Sequence, residues 1–249
     1  MFLKYRKDFY SQNGEDGILE KLIHILKIKK PYMCEFGAWD GINSSNTFYL
    51  LNKYSGKAIY IEGNKKKFEE LLNNSKIYKG IYPINSYVDN YQNKLDKILL
   101  KTFLKKDFDI LSIDIDGDDL NIWKSLRIYK PKIVVIEINS GIKPGIFQIN
   151  KKCLNKQGNS FTSTLKVGIE KGYTLLCHTG NLIFLKNEYL KKINVPNYLI
   201  KNPNRIFYKN FHINRYYYFT KFIKNFVPIY LINKIPTKLK LSLARYLKN

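Results

Sequence analysis

Short apolar segments alternate with amphipathic helical patterns along most of this 249-residue chain, and this alternation constrains the fold more than any other feature. Residues 132–138 are the clearest β-branched apolar segment, which is typical of a buried strand. Residues 15–28 instead repeat apolar side chains at helical spacing. Strands that alternate with helices form parallel sheets through crossover connections. We therefore predict an α/β fold built on a doubly wound sheet.

The same patterns predict seven strands and six helices before residue 188. The predicted strands cover residues 32–37, 58–62, 76–82, 108–114, 132–138, 173–178 and 182–186. The predicted helices cover residues 15–28, 45–53, 64–72, 90–104, 119–127 and 161–171. The last two strands are joined by Thr179-Gly180-Asn181, a tight-turn sequence, so we expect a hairpin. The sheet should therefore be mostly parallel, with one antiparallel strand.

The character of the chain changes after Glu188, beyond which no acidic residue occurs. We divide the chain into a sheet domain, residues 1–188, and a basic, aromatic-rich, partly helical appendage, residues 189–249. The appendage suits either packing against the domain or contact with an anionic membrane surface. The net charge is +23, but only five of the 43 basic residues are arginines. Because arginine is favoured for reading bases and phosphates, we do not expect a nucleic-acid partner.

Cysteine usage and the ends of the chain predict a cytoplasmic protein. Cys34, Cys153 and Cys177 are too few and too scattered for a disulfide framework or a zinc site, which favours buried, reduced thiols. The N-terminus has no apolar segment of the length that a signal peptide needs. The most apolar late segment, residues 217–232, is interrupted by two lysines and is a poor membrane span.

Ligands of open α/β sheets bind beyond the carboxyl ends of the strands, and two such ends predict a cofactor site. The first is Glu35-Phe-Gly-Ala-Trp-Asp-Gly41, whose glycines allow tight turning and close approach of the backbone to a ligand. The second is Glu62, placed to hold both hydroxyls of a ribose. Neither a dinucleotide motif nor a phosphate loop is present. These features favour a nucleoside-bearing cofactor without a pyrophosphate, and S-adenosylmethionine fits that description.

Two further strand ends carry acidic and amide side chains. The first group is Asp114, Asp116, Asp118 and Asp119; the second is Glu137 and Asn139. Crowded carboxylates favour a bound cation or a raised pKa, and oxygen ligands suit Mg²⁺ or Mn²⁺. We therefore predict a metal set of Asp116, Glu137 and Asn139. The alternative is that Asp118 and Asp119 cap the following helix, which we accept for Asp118.

We do not assign catalytic roles to the histidines. His24 lies on a predicted helix and His212 in the appendage. His178, at the final hairpin, is expected to be a surface or turn residue rather than a base. Trp39 and Trp123 are expected to pack, although Trp39 lies where it would also line a cofactor pocket.

Several motifs together resemble FkbM-type methyltransferases over residues 10–187. These motifs are Ser11-Gln-Asn-Gly-Glu-Asp-Gly17, Glu35-Phe-Gly-Ala-Trp-Asp-Gly41 with Ser45-Asn-Thr47, Asp114-Ile-Asp-Gly117, Ile136-Glu-Ile-Asn139, Gly158-Asn-Ser160 and Gly180-Asn-Leu-Ile-Phe184. The resemblance implies a class I, Rossmann-like S-adenosylmethionine fold, often encoded with genes for surface polysaccharide synthesis. Members of known function are typically O-methyltransferases, so it implies that activity, with a sugar or glycan hydroxyl as acceptor.

The resemblance also implies residue roles. It places Glu35, Gly37 and Gly41 around the methionine end of the cofactor and Glu62 on its ribose. Asp114 is assigned to both the catalytic and the cofactor-binding set. Many relatives read Asp-Val-Glu-Gly where this chain has Asp114-Ile-Asp-Gly117.

We expect Asp116 to act as general base towards the acceptor hydroxyl, or to hold a metal that acidifies it. Two rival functions stay open. Asp114-Ile115-Asp116 is also the Asp-x-Asp pattern by which metal-dependent glycosyltransferases hold a nucleotide sugar. The other rival is a non-catalytic protein that binds a membrane or a nucleic acid through its charge.

Overall fold

A seven-stranded sheet forms the centre of the computed structural model, which describes residues 2–115, 117–150 and 158–208. The strands are β1 (Tyr32–Phe36), β2 (Lys57–Glu62), β3 (Ile81–Asn85), β4 (Ile110–Ile113), β5 (Ile133–Glu137), β6 (Tyr173–His178) and β7 (Asn181–Lys186). The helices are α1 (Glu15–Leu26), α2 (Phe48–Tyr54), α3 (Lys65–Ile77), α4 (Leu95–Leu99), α5 (Asp119–Ser125), α6 (Phe161–Glu170) and α7 (Asn197–Lys201). Short 3-10 helices cover Phe2–Tyr5, Asn187–Lys192 and Pro203–Ile206.

The strand order is β3-β2-β1-β4-β5-β7-β6, which confirms the predicted fold class. Strands β1 to β5 pair in parallel, and β7 lies antiparallel between β5 and β6. The order reverses between β1 and β4, so the topological switch point of this class I methyltransferase-like sheet lies between these two strands. In such sheets, the crevice at the carboxyl side of the switch point is the usual ligand site.

Helices cover both faces of the sheet and produce two apolar layers. One layer packs β1, β4 and β5 against α4, α5 and α6, with Trp123 and Phe161 completely buried. The other packs the opposite face against α1, α2 and α3, with Ile18 and Leu22 at its centre. Because both faces are covered, the central strands are apolar at successive positions instead of alternating with polar residues. This explains why the sequence marks them so clearly.

The predicted strand over residues 76–82 is wrong in its position. Helix α3 continues to Ile77, and β3 begins only at Ile81. The side-chain amide of Asn74 donates to the backbone carbonyl of Asp40, which ties the last turns of α3 to the rest of the domain. Gly80, with φ of +98°, then reverses the chain into the edge strand. A tertiary contact therefore extends a helix that the local apolar pattern ends.

Two predicted helices are shorter than expected. Of residues 90–104, only Leu95–Leu99 form a helix. The carboxylate of Asp89 accepts the N–H groups of Tyr91 and Asn93, which forms a turn where the helix was expected to start. The helix predicted from residue 45 begins at Phe48, because the three preceding residues are bound to a buried carboxylate described below.

The chain divides into two compact units, Met1–Tyr208 and Lys209–Asn249. The first unit extends beyond the boundary predicted at Glu188, and Ile193 and Leu199 are buried within it. Most of the predicted appendage lies outside the described residues. Within the described part of the chain, none of the helices has the length and apolarity needed to cross a membrane.

Candidate functional site

The ends of β1 and β4 meet at the switch point, where Gly37 follows β1 and Asp114 follows β4. Gly37 is exposed and has φ of +77°. A Cβ atom on Gly37 would lie 1.7 Å from the backbone oxygen of Asp114. A side chain therefore does not fit between the two strand ends, and this contact, rather than contact with a ligand, accounts for the glycine. Asp114 itself is half-buried at the same point.

Glu62 connects the end of β2 to the turn that follows β1. Its Oε2 accepts the backbone N–H of Trp39 at 2.9 Å, and its Oε1 accepts the N–H of Asn64 at 2.7 Å. The residue is only 6% exposed. The predicted acid and the predicted glycine turn therefore share one location. Each carboxylate oxygen has two lone pairs, so acceptor capacity remains beyond these two bonds.

Trp39 lies half-buried in the same turn, in a left-handed conformation with φ of +49°. The ammonium group of Lys67, on α3, lies 5.3 Å from the centre of its ring. The second predicted glycine, Gly41, packs against Tyr60 and Leu71, where a Cβ would approach a Leu71 methyl group to 2.6 Å. Gly41 is therefore required by packing.

The carboxylate of Glu35 is directed into the protein, towards residues 45–47. It accepts the hydroxyl groups of Ser45 at 2.8 Å and Thr47 at 2.5 Å, and the N–H of Asn46 at 3.2 Å. Desolvation by burial raises the pKa of Glu35, although these hydrogen bonds oppose the rise. The side-chain amide of Asn46 also donates to Ser112, on β4. Glu35 therefore holds the Ser45–Thr47 motif across the switch point.

The carboxylates after β4 have different roles. Asp119 is buried, and its two oxygens accept the N–H groups of Ile115 and Gly117, each at 2.8 Å. Asp118 occupies the N-cap position of α5 but accepts the side chain of Asn121, so the cap that we predicted through a backbone N–H does not form. Asp119 thus shapes the loop that carries Asp116. Asp116, the predicted base, lies outside the described residues.

The predicted metal ligands on β5 lie at the same edge of the sheet. Glu137 is half-buried, and the side-chain oxygen of Asn139 accepts the N–H of Gly141 at 2.9 Å. Within residues 2–115, 117–150 and 158–208, no three His, Cys, Asp or Glu side chains are arranged to hold a metal ion. Because Asp116 is outside these ranges, the metal set stays a prediction.

His178 is completely buried, so the expectation of a surface or turn residue is wrong. Its ring stacks on Phe207 at 5.1 Å, and its Nδ1 accepts the backbone N–H of Tyr208 at 2.9 Å. A backbone nitrogen is only a donor, so the proton of the neutral ring is on Nε2, which lies 2.8 Å from the hydroxyl of Ser140. Sequence reasoning missed this pair because its packing partner, Phe207, is remote in the chain.

The motif at residues 11–17 connects α1 to the final hairpin. The Oδ2 of Asp16 accepts three successive backbone N–H groups, those of Phe9, Tyr10 and Ser11. The Oε1 of Glu15 accepts Thr179 Oγ1 at 2.6 Å and Asn181 Nδ2 at 3.0 Å. Two motifs that were noted separately in the sequence therefore form one buried polar contact.

Comparison with known sequences does not assign a family. No family model matches the chain. The chain is similar to protein Ycf2 of Physcomitrium patens, with 27% identity over 256 residues, which cover 99% of this chain and 10% of that protein. The chain thus spans about a tenth of the length of this relative. At that identity and coverage, the likeness assigns no activity.

Solved structures with a similar architecture include three methyltransferase-related proteins. One is a SAM-dependent methyltransferase from Aquifex aeolicus (14% identity, 67% of this chain and 86% of that chain, TM-score 0.43). Another is M. capricolum TrmK in complex with S-adenosyl-homocysteine (16%, 91% and 92%, 0.45). The third is the N-terminal domain of EvdMO1 in the presence of S-adenosyl-homocysteine and D-fucose (9%, 72% and 84%, 0.44). At these values the likeness concerns architecture, and each ligand belongs to the protein that binds it.

Proposed function

We propose that this protein is a methyltransferase that uses S-adenosylmethionine. The observation that carries the proposal is the arrangement at the switch point. An exposed Gly37 ends β1, and a buried Glu62 ends the neighbouring strand and accepts the N–H of Trp39 between them. An acidic side chain one strand away from a glycine turn is the arrangement that binds a ribose in sheets of this order.

The residues at this edge fit a nucleoside better than a dinucleotide. The remaining lone pairs of Glu62 suit the two hydroxyls of a ribose, and the exposed backbone at Gly37 leaves room for the methionine part. The N–H groups of Gly37 and Ala38 are both bonded to the carbonyl of Ile61. They are therefore not directed at a pyrophosphate. In this proposal Glu35 is a positioning residue, because its carboxylate is bonded to Ser45, Asn46 and Thr47.

The finer proposal is O-methylation of a sugar hydroxyl of a surface glycan or its precursor, as the FkbM-type resemblance implies. The bound cofactor would supply an electrophilic methyl group, and the chain would align the acceptor and remove its proton. Asp116 or Asp114 would take that proton, in a loop held by Asp119. Mg²⁺ or Mn²⁺ at Asp116, Glu137 and Asn139 and a cytoplasmic location belong to the same proposal.

Calorimetric titration with S-adenosylhomocysteine tests the cofactor assignment. We expect binding by the wild-type protein and a loss of about tenfold or more in affinity for Glu62→Gln, since a charged acceptor of the ribose is removed. Glu20→Gln is the matched control, because Glu20 bonds Lys53 and Tyr54 on the surface of α1, away from this edge. If thermal unfolding shows that Glu62→Gln is not folded, Glu62→Asp replaces it.

Two results would contradict the proposal. One is the absence of S-adenosylhomocysteine binding by folded wild-type protein. The other is binding of a UDP-sugar together with Mn²⁺ in its place, which would favour a glycosyltransferase. Equal affinities of the Glu62 and Glu20 variants would remove Glu62 from the site.

A further inference from the structure

The edge of the sheet opposite the candidate site carries a strong excess of positive charge. This amino edge consists of the segments that lead into the five parallel strands, residues 27–32, 55–57, 78–82, 100–109 and 126–132. Exposed cations before β1 and β4 are Lys27, Lys29, Lys30, Lys101, Lys105 and Lys106, and others lie at the starts of β2, β3 and β5. On these segments, all of which the structure describes, Asp107 is the one exposed acid.

The other acids of the amino edge are buried and bonded, so they do not offset this charge at the surface. Asp109 accepts the N–H of Tyr32 at 2.8 Å and the ammonium group of Lys132 at 2.6 Å. Asp96, next to the edge, accepts the N–H groups of three successive residues, beginning with Arg127. The positive field therefore extends outwards from this edge without local compensation.

Exposed aromatic rings lie among these cations. Phe103 contacts Tyr82 and Tyr32 edge-on, with ring centres 4.6 Å and 6.0 Å away, and each of the three residues is about 40% exposed. The ammonium group of Lys57 lies 5.8 Å from the centre of the Phe103 ring. Leu100 and Ile128 are also exposed on the same segments. We call these rings and cations the amino-edge patch.

We propose that the amino-edge patch binds the surface of an anionic lipid bilayer. Lysines near a negatively charged leaflet are attracted to it, and tyrosine and phenylalanine rings settle at the level of the headgroups. A nucleic acid fits less well for two reasons. Bases need a free ring face on which to stack, whereas Phe103 is enclosed by two tyrosines and a lysine. The exposed cations are also lysines with the single exception of Arg127 on the described segments.

This surface is distinct from residues 189–249 and goes beyond the proposed activity. It lies at the amino ends of the parallel strands, whereas Gly37, Glu62 and Asp114 lie at their carboxyl ends. Bound in this way, the first compact unit would present its candidate site away from the bilayer. An acceptor would then approach from the aqueous side.

Co-sedimentation of the full-length protein with lipid vesicles tests the inference. We expect binding to vesicles with about 30% phosphatidylglycerol and none to pure phosphatidylcholine, because the attraction is electrostatic. Lys105→Glu/Lys106→Glu should lower the partition coefficient about tenfold or more, since it reverses two charges inside the patch. Phe103→Ser should lower it further when it is added to the double variant.

The matched control is Lys65→Glu/Lys66→Glu, which changes the net charge equally but lies at the start of α3, away from the amino edge. The control should alter binding by no more than about twofold. The basic appendage is present in every variant, so the difference between the two doubles reports the patch alone. Equal losses in both doubles, no effect of Lys105→Glu/Lys106→Glu, or no wild-type binding to phosphatidylglycerol would overturn the inference. Tighter binding to a single-stranded RNA that Lys105→Glu/Lys106→Glu abolishes would do so as well.

Discussion

Buried carboxylates in this protein act mainly as acceptors for backbone N–H groups. Asp16, Asp96 and Glu62 each organise a loop in this way, and Asp119 does so after β4. A carboxylate that accepts several N–H groups fixes the conformation of a loop without regular secondary structure. Four of the acids that the sequence suggested as chemical groups or helix caps, Glu35, Glu62, Asp118 and Asp119, therefore have specific structural partners.

Asp16 should make stability depend on pH. Burial raises the pKa of Asp16 to about 6 from an ordinary value of 3.8, because desolvation outweighs its hydrogen bonds. Between these values the unfolded chain releases the proton first, so stability falls as the pH rises, by up to about 3 kcal/mol. Asp16→Asn removes this ionisation. Urea unfolding between pH 4 and 7 should show the variant gaining on the wild type as the pH rises, and a constant difference would contradict this.

Gly37 should tolerate alanine much less well than another glycine of similar conformation. Gly37 and Gly172 have φ of +77° and +82°, so the backbone strain of an added side chain is similar. A Cβ on Gly37 would meet the carbonyl of Asp114, whereas nothing lies within 4 Å of one on Gly172. We expect Gly37→Ala to lose at least about 2 kcal/mol more in free energy of unfolding than Gly172→Ala, because of overpacking. Equal losses in denaturant titrations would contradict the contact.

At the scale of elements, periodicity located nearly every helix and strand, but not their ends. Strands β4 and β5 were expected where they lie, because both of their faces are covered by helices and their sequences are continuously apolar. The edge strand β3 was misplaced, and α4 was overestimated. In both cases polar side chains, Asn74 and Asp89, make contacts that decide where a helix ends or begins. Such contacts have no periodic signal.

The N-cap of α3 gives a test of one correctly predicted helix start. The side chain of Asn64 accepts the N–H groups of Lys66 and Lys67 at 3.0 Å and 3.1 Å. Asn64→Ala should therefore lower the free energy of unfolding by about 1 kcal/mol. Asn73→Ala, the same substitution inside α3, should be neutral or slightly stabilising, since alanine is the better helix former. Denaturant unfolding of both variants measures the difference, and equal effects would argue against the cap.

On the scale of the whole molecule, the two edges of the sheet differ in chemistry. The carboxyl edge gathers Glu62, Asp114, Asp118 and Glu137, whereas the amino edge exposes lysines and aromatic rings. The sequence shows a net charge of +23 but not its distribution, because the segments of the amino edge are spread from residue 27 to residue 132. The folded sheet brings them together.

The linear pattern was sufficient to specify the α/β class, the antiparallel hairpin strand and the meeting of Glu62 with the turn after β1. Apolar periodicity and strand order are properties of neighbouring residues, and parallel strands necessarily end at a common edge. The partners of Glu35, the burial of His178 and the link from Glu15 to Asn181 required the folded chain. A polar side chain looks the same in a sequence whether water or a distant residue satisfies it, and three-dimensional packing makes that choice.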